Sequence, residues 1–574
     1  MVTADRVYVT RQDECLVLDP ATGETLTEWQ LPEQPGIGHP NWGCLGVYED
    51  VLLAGGAPLH LQGEKDDLSL LANSRFGIGS KYLFALDRIT GKLLWAREAA
   101  HEFRHNCVVA GGGKVFCLDG LSPQRRELLK RRGELSDAPA AILALDARTG
   151  AEKWSATEGV FGTWLSYSGE HDILLQAGSR AGDRAADEVG QGMTAYRGLD
   201  GKRLWKHNES YSGPPILWHD RILTQTGGGN TAAPPARAYS LLTGQPVVAT
   251  HPLTDDPVPW GWLRFKGCNT AVASEHLLTF RSAAGCYADL PTGYGTTSIG
   301  GFKSGCTSNL IAADGLLNAP DYTRTCTCSY QNQADFALYP LPPTGAGDLT
   351  VESWSFDYLP APDRPTPVRR VGLNFGAPGN RLGPDGTLWM EVPSVGGPSP
   401  DLLVAVSGDN AKFFRLHSSQ LAVTPGALPW VAASGVDGLT GVTVRLFLQP
   451  GDPKASATVQ AFERNASTTQ LPTRLDNALG SHDTPWLYTV RLHFAETEDL
   501  KPGQRVFDVT LQGNKALTGL DLVKAAGGTH RAVVKEFKGV PVKDDLRIEF
   551  APAPGALHPP RLCGVEVVLE KGAA

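Results

Sequence analysis

Leu16-Val17-Leu18-Asp19-Pro20-Ala21-Thr22-Gly23 with Trp29, Ala85-Leu86-Asp87-Arg88-Ile89-Thr90-Gly91 with Trp95, and Ala144-Leu145-Asp146-Ala147-Arg148-Thr149-Gly150 with Trp154 repeat one pattern. Each reads as an apolar strand, a turn closed by Asp and Thr, a glycine at a positive-φ position, and a returning strand whose aromatic can wedge against a neighbour. Partial copies follow at Leu199-Asp200-Gly201 with Trp205 and at Leu242-Thr243-Gly244 with Val248. A strand-turn-strand unit that recurs every few tens of residues is built to stack on its own copies. A second series marks the strand before each hairpin, with apolar runs beginning at Val7, Val51, Val115, Ile173, Ile222, Leu277 and Leu316. Seven starts predict a seven-bladed β-propeller, or eight blades if an upstream piece belongs to the same ring, and propellers of this size are common.

The A-L-D-x-x-T-G-x-x-x-W signature resembles the PQQ-enzyme repeat, found in quinoprotein dehydrogenases and in noncatalytic scaffolds such as outer-membrane assembly factors. The resemblance implies the blade and not the cofactor. A quinone enzyme of this kind is expected to carry an adjacent Cys-Cys pair, a Trp floor and Ca2+ ligands drawn from Glu, Asn and Asp. The sequence contains no Cys-Cys dipeptide and assembles no such calcium set, which ranks PQQ and Ca2+ below the other readings.

At 574 residues the chain exceeds what one core usually supports, and 65 Gly, 41 Pro and 13 Trp beside only 3 Met describe short strands and turns rather than helices. The class is all-β. A net charge of −9 provides no general basic surface for a phosphate backbone, so nucleic acid is not an expected partner. The basic run Arg125, Arg126, Lys130, Arg131 and Arg132 falls in a helix-like insert and reads as a solvated face. No run of 18 apolar residues offers a transmembrane helix, and Met1-Val2-Thr3-Ala4-Asp5 has no basic or apolar region of a signal peptide. The chain enters a strand within six residues, as though an upstream portion were missing. Ten Cys form neither a dense disulfide framework nor C-x2-C pairs.

Between Pro340 and Val368 the chain turns Pro-rich, which predicts a linker over 341–368 or a strap across the propeller of residues 1–340. A second domain is expected over 369–571. Its strands are Val371-Gly372-Leu373-Asn374-Phe375-Gly376, a segment at Trp389, Tyr488-Thr489-Val490-Arg491-Leu492-His493-Phe494-Ala495-Glu496, Arg505-Val506-Phe507-Asp508-Val509-Thr510-Leu511-Gln512-Gly513, and Leu562-Cys563-Gly564-Val565-Glu566-Val567. Period-two alternation between Gly and Asp turns indicates a jelly-roll-like β-sandwich.

The Y-x-V-x-L-x-F-A-E strand followed by R-x-F-D-V-x-x-Q-G resembles malectin-like domains, which bind carbohydrate. The resemblance implies aromatic rings against the apolar faces of sugars and carboxylates against their hydroxyls. It implies Trp389 and Glu391, in the first sandwich loop, as substrate contacts, although the paired tyrosines expected there and the terminal Asp are absent. Tyr488, His493 and Phe494 lie inside a strand and read as structural. With the propeller, this implies a polysaccharide partner and an extracytoplasmic setting, periplasmic or secreted.

Segments just before the seven starts are the innermost strands, which enter the propeller funnel. They would gather Arg104, His105, Lys266, Arg281, Lys303 and Arg324, with Arg264, around one end beside Tyr167, Tyr322 and Tyr330. Such a cationic mouth on an acidic chain would attract anions, and a uronate- or sulfate-bearing polysaccharide is the natural candidate. Lyase chemistry there would use the cations to stabilise an enolate and His105 with Tyr167 to move the proton; hydrolase chemistry is the other enzymatic option. The alternatives are a funnel whose charges only line a wet channel, and a noncatalytic interaction scaffold. Cys326 and Cys328 form a C-x-C pair that, with Cys268 and Cys306, would make two disulfides or a thiolate metal site; the spacing is not that of a zinc finger, which favours the disulfides. This segment resembles those of large bacterial propeller proteins, notably of planctomycete type, a likeness that brings no activity with it.

Overall fold

The computed structural model describes the chain except residues 59–78, 122, 163, 179–191, 209–210, 226–235, 265–266, 268–269, 283, 292, 294, 301, 303–309, 321–334, 340–353, 361, 363, 395–401, 423–424, 449–484 and 571–574. Strand is the dominant regular structure of the described residues, and its strand pairs are antiparallel except that of Arg370–Phe375 with Leu388–Val392. They separate into two compact units, one formed by Met1–Gly229, Ala236–Val247 and Cys268–Ala273, the other by Asn230–Pro235, Val248–Gly267 and Ser274–Ala574.

The first unit carries propeller blades. Val7–Arg11, Glu14–Leu18 and Thr25–Gln30 form one three-stranded sheet, Trp164–Ser168, Ile173–Ala177, Met193–Arg197 and Arg203–His207 a four-stranded one, and Ser212–Trp218, Arg221–Gln225 and Ala238–Ser240 another of three. Between them lies a seven-stranded sheet that is two blades sharing one strand, Leu93–Gly111. Its first residues pair with Gly79–Asp87 as the outer strand of one blade, and Val108–Gly111 pair with Lys114–Cys117 as the inner strand of the next. Each of the seven apolar starts falls within the first two residues of a strand.

The repeated turn works as its residues predict. The amides of Gly23, Gly91, Gly150, Gly201 and Gly244 donate to carbonyls four residues back at 2.7–2.9 Å, with φ of 69–74° at all five glycines. Asp19, Asp87 and Asp146 each accept the amide two residues on and that of the following Thr; the Lys153 ammonium beside Asp146, and these amides at all three, hold the carboxyls below the usual range. The partial copies replace that Asp with Arg197, which pairs with Asp200, and with Ser240, whose hydroxyl accepts the Thr243 amide.

The tryptophans join blade to blade. A Cβ on Gly91 would lie 2.7 Å from the Trp29 ring, one on Gly150 2.7 Å from Trp95, one on Gly201 2.7 Å from Trp154, and one on Gly244 2.9 Å from Trp205. The indoles of Trp95, Trp154 and Trp205 donate to the carbonyls of Ala147, Gly198 and Leu241, in each case three residues before the turn glycine. The glycine therefore serves twice, taking positive φ and leaving room for the preceding blade's indole. The expected insert is a helix, Pro123–Arg132, whose Arg126, Lys130, Arg131 and Arg132 are exposed.

In the second unit, Leu277–Ser282, Ala284–Asp289 and Thr296–Ser298 pair in sequence, and Phe356–Tyr358 from the Pro-rich stretch adds a further strand. A further copy of the turn occurs here. Asp289-Leu290-Pro291-Thr292-Gly293 repeats the Asp-x-x-Thr-Gly spacing, the Gly293 amide donates to the Asp289 carbonyl at 2.8 Å, and the Trp260 indole donates to the Gly293 carbonyl.

The rest of this unit is a sandwich. A six-stranded sheet runs in the order Arg381–Leu382, Leu388–Val392, Arg370–Phe375, Gly564–Leu569, Trp486–Glu496, Arg531–Val542. A five-stranded sheet runs Val404–Ser407, Gly441–Arg445, Asp545–Pro552, Val506–Leu511, Asn514–Asp521. Val371, Leu373, Val490, Leu492, Val565 and Val567 of the first share one core with Val442, Val444, Phe507, Val509, Leu546 and Ile548 of the second. Tyr488 belongs to that core, and its hydroxyl donates to the Val368 carbonyl at 2.9 Å.

The geometry explains why the two halves of the second motif occur together. Glu496, which ends the F-A-E strand, accepts from Arg505, which opens the next, at 2.8 Å, and from Arg561 at 3.1 Å. Both guanidiniums are buried and also reach Asp437 and Glu498. The Arg561 guanidinium lies 4.4 Å from the centre of the Phe414 ring.

Candidate functional site

In the first unit His105 lies on the shared strand, its Nε2 2.7 Å from Ser80 Oγ. A Cβ on Gly43 would come within 2.8 Å of that nitrogen. Burial and the neighbouring Arg104 lower the His105 pKa to about 4, so the ring is neutral at neutral pH. Arg104 does not line an open cationic mouth. It is 3% exposed and pairs at 3.2 Å with Glu102, also buried, in a stretch where His101, Glu102, Phe103 and Arg104 are all buried.

Tyr167 has neighbours of its own. Its ring packs on Phe116 with centroids 4.8 Å apart and presses on Gly111 and Gly112 at the hairpin end of the shared strand. The phenol donates to Asp172 at 2.7 Å; burial and that carboxylate push its pKa above the usual range. His105 and Tyr167 thus have different hydrogen-bond partners, Ser80 and Asp172. Tyr167→Phe is expected to cost about 1 kcal/mol in urea denaturation, the worth of one hydrogen bond, and to leave glycan binding unchanged.

Arg281, in the second unit, is 1% exposed within Leu277–Ser282, a buried strand residue rather than an open contact. Lys266, Lys303, Tyr322, Arg324, Tyr330, Cys268, Cys306, Cys326 and Cys328 lie outside the described residues. Among the described cysteines, Cys44 and Cys286 have thiols raised by burial to about 11 and Cys563 one raised to about 12, which leaves them protonated and poorly nucleophilic. The sequence has no Cys-Cys pair, and among the described residues no three His, Cys, Asp or Glu side chains converge as cation ligands.

The sandwich gathers a different set. Trp389 and Glu391 belong to the strand Leu388–Val392, not to a loop, and are 1% and 6% exposed. Alternation puts Leu388, Met390 and Val392 in the core and sends Trp389 and Glu391 to the sheet's other face. That face is covered. Trp389 lies over Gly372 and Gly564, where a Cβ would sit 2.2 and 3.1 Å from its ring, and Trp430 of the helix Pro429–Ala432 closes on it at 5.7 Å and 84°. His493 meets its other side at 5.0 Å and 85°. Trp389, expected with Glu391 as a sugar contact, thus lies beneath Trp430 and against His493, and Glu391 is buried beside it on the same strand.

What reaches solvent is the next layer. Trp354 is half-buried and meets Trp430 edge-on at 5.9 Å. The guanidinium of Arg381, also half-buried, lies 4.7 Å from the centre of the Trp430 ring and 5.6 Å from that of Trp354. Backbone bonds hold this layer in register. Ser355 and Asn380 exchange amide-to-carbonyl bonds, the Asn380 side chain accepts the Glu391 amide at 2.9 Å, and Arg381 pairs with Trp389 across the sheet. Glu391 accepts the Ser394 hydroxyl at 3.3 Å. The cluster thus presents a partly exposed indole and a positioned guanidinium above a buried carboxylate. Sequence reading missed Trp354 and Arg381 because no motif links them; Trp389 was the one signal in their neighbourhood.

Residues 12–251 match the family model described as outer membrane protein assembly factor BamB, and residues 487–551 match that of the malectin domain. No curated protein matches the chain. Among solved structures, BamB from Moraxella catarrhalis is 13% identical with a TM-score of 0.31, covering 55% of this chain and 89% of its own. The ANX2 ectodomain from Arabidopsis thaliana is 15% identical with a TM-score of 0.22, covering 35% and 50%. A quinohemoprotein alcohol dehydrogenase from Pseudomonas putida HK5 is 13% identical with a TM-score of 0.26, covering 51% and 52%. The chain spans about half the length of the last two. It joins BamB-like PQQ-type propeller repeats to a malectin domain.

Proposed function

We propose that this protein recognises polysaccharide through its sandwich, in an extracytoplasmic setting, with the propeller as scaffold. In this reading residues 1–340 form the propeller, 341–368 a Pro-rich linker that carries Trp354, and 369–571 the recognition domain. The malectin match supports carbohydrate binding at the level of the domain. The observation that carries the reading is the half-exposed Trp354 beside Arg381 and Trp430, since an indole offers an apolar face to a pyranose while neighbouring donors take its hydroxyls. Lyase or hydrolase chemistry in the funnel draws no support from His105 and Tyr167, which serve different neighbours.

Glycan-array binding of the full chain tests the reading. Binding to at least one polysaccharide class is expected, reduced about tenfold or more by Trp354→Ala through loss of one stacking platform. An array with no binder, or wild-type binding by the variant, counts against it.

A further inference from the structure

We propose that the basic helix Pro123–Arg132 is a second binding site, which takes a linear anionic polysaccharide by the attraction of its cations for carboxylate or sulfate groups. The ligand class rests on the carbohydrate reading above, whereas the site belongs to a blade of the first unit and not to the sandwich.

The helix is an insertion. It falls between Lys114–Asp119 and Ala141–Asp146, strands that pair directly with each other, and a short hairpin turn would have sufficed to join them. Five of its ten residues, Arg125, Arg126, Lys130, Arg131 and Arg132, are basic and one, Glu127, is acidic, against 52 Lys and Arg in all 574 residues. Arg126, Lys130, Arg131 and Arg132 are exposed, and none of the four has an ion-pair partner among the described residues. Their charge is left for something outside the chain.

This arrangement works against the helix. Lys130, Arg131 and Arg132 in the last turn suit the negative end of the helix dipole, but Arg125 and Arg126 lie in the first turn, where no acidic residue accompanies them and a cation opposes that dipole. Arg126 and Lys130 are also like charges at i,i+4 spacing, which repel. Neither feature serves the fold, and both raise the positive potential of the insert.

The kind of anion follows from the rest of the helix. At about 100° per residue, positions 126, 130, 131 and 132 are spread around the axis, so a flat anionic surface meets only some of them while a flexible linear polyanion can follow them all. Leu128 and Leu129 are adjacent and make no apolar stripe to sink into a bilayer. Residues 120–140 contain no Phe, Trp, Tyr or His, which leaves the bases of a single-stranded nucleic acid no ring to stack on. An acidic polysaccharide needs neither device, since regularly repeated charge is what it offers. The malectin match supports a glycan as the partner of this chain.

The test measures binding of the full chain to polygalacturonate and dextran sulfate, beside a panel of neutral glycans, a DNA duplex and anionic phospholipid vesicles. At least one of the two acidic polysaccharides is expected to bind, and to bind about tenfold or more weakly when salt is raised from about 50 to about 200 mM, as charges exchange partners with small ions. Arg126→Gln, Lys130→Gln, Arg131→Gln and Arg132→Gln together should weaken that binding about tenfold or more and flatten its salt dependence. Arg126→Lys, Arg131→Lys and Arg132→Lys together keep the charge and should stay within about threefold of the wild type, which separates loss of charge from loss of the helix. Undiminished binding by the Gln variant, or a Lys variant as weak as the Gln variant, overturns the proposal. So does tighter binding of the duplex or the vesicles through the same four residues. Neutral glycans binding while both acidic polysaccharides fail overturns it and leaves the carbohydrate reading standing, whereas no glycan binding at all overturns both.

Discussion

Trp95→Ala should destabilise the first unit by about 3–5 kcal/mol in urea or guanidinium denaturation, the range for removing a large buried aromatic. Trp95 is buried among Val51, Leu53, Leu143 and Leu145, so its removal opens a cavity that side chains of two blades line. Its indole also caps the Ala147 carbonyl at 2.9 Å, and the truncation strands that acceptor in the seam. Trp95→Phe separates the two effects: it fills part of the space without the donor, and about half the loss should return. A cost below about 1 kcal/mol for the alanine variant would mean that the seam does not depend on its tryptophan.

Arg561→Ala should destabilise the sandwich by a similar amount, about 3–5 kcal/mol, as when one partner of a buried ion pair is removed. Arg561 and Arg505 together balance Asp437, Glu496 and Glu498, and Glu496 is wholly buried. Without Arg561, Asp437 loses two bonds and Glu496 one, while the Phe414 ring loses its stacked cation. Arg561→Ala combined with Glu496→Gln should cost less than the sum of the single changes, because the second removes the charge that the first leaves uncompensated. Strict additivity in a thermal or denaturant cycle would show that the five groups do not act as one network.

Local chemistry was what the sequence displayed most clearly. Asp87, Thr90 and Gly91 announce their turn because all its bonds close within five residues, and Trp95 lies one strand-length beyond. The copy at Asp289–Gly293 was obscured because no Trp follows its glycine, as one follows Gly23, Gly91, Gly150 and Gly201. The site was less legible. Alternation assigns Trp389 and Glu391 to the non-core face of their strand, but nothing near them reveals that Trp430, forty residues on, covers that face. Trp354 and Arg381 meet through a bridge between Ser355 and Asn380, a contact between residues of unrelated motifs. The funnel was hard to read for a related reason: aligning strand starts says which blade a residue belongs to and not which neighbour its side chain meets, Ser80 for His105 and Asp172 for Tyr167. Glu496 and Arg505 were visible as a motif, but their purpose emerges only when Arg561 arrives from the end of the domain.

The shared strand Leu93–Gly111 also bears on how such a chain can change by repeat gain and loss. Where blades are joined by loose connections, one repeat can be excised or duplicated at the joint with little injury to its neighbours. Here a cut between the two blades would sever a continuous strand whose early residues pair with Gly79–Asp87 and whose late residues pair with Lys114–Asp119. These two blades are in effect a single heritable cassette, to be copied, swapped or grafted together.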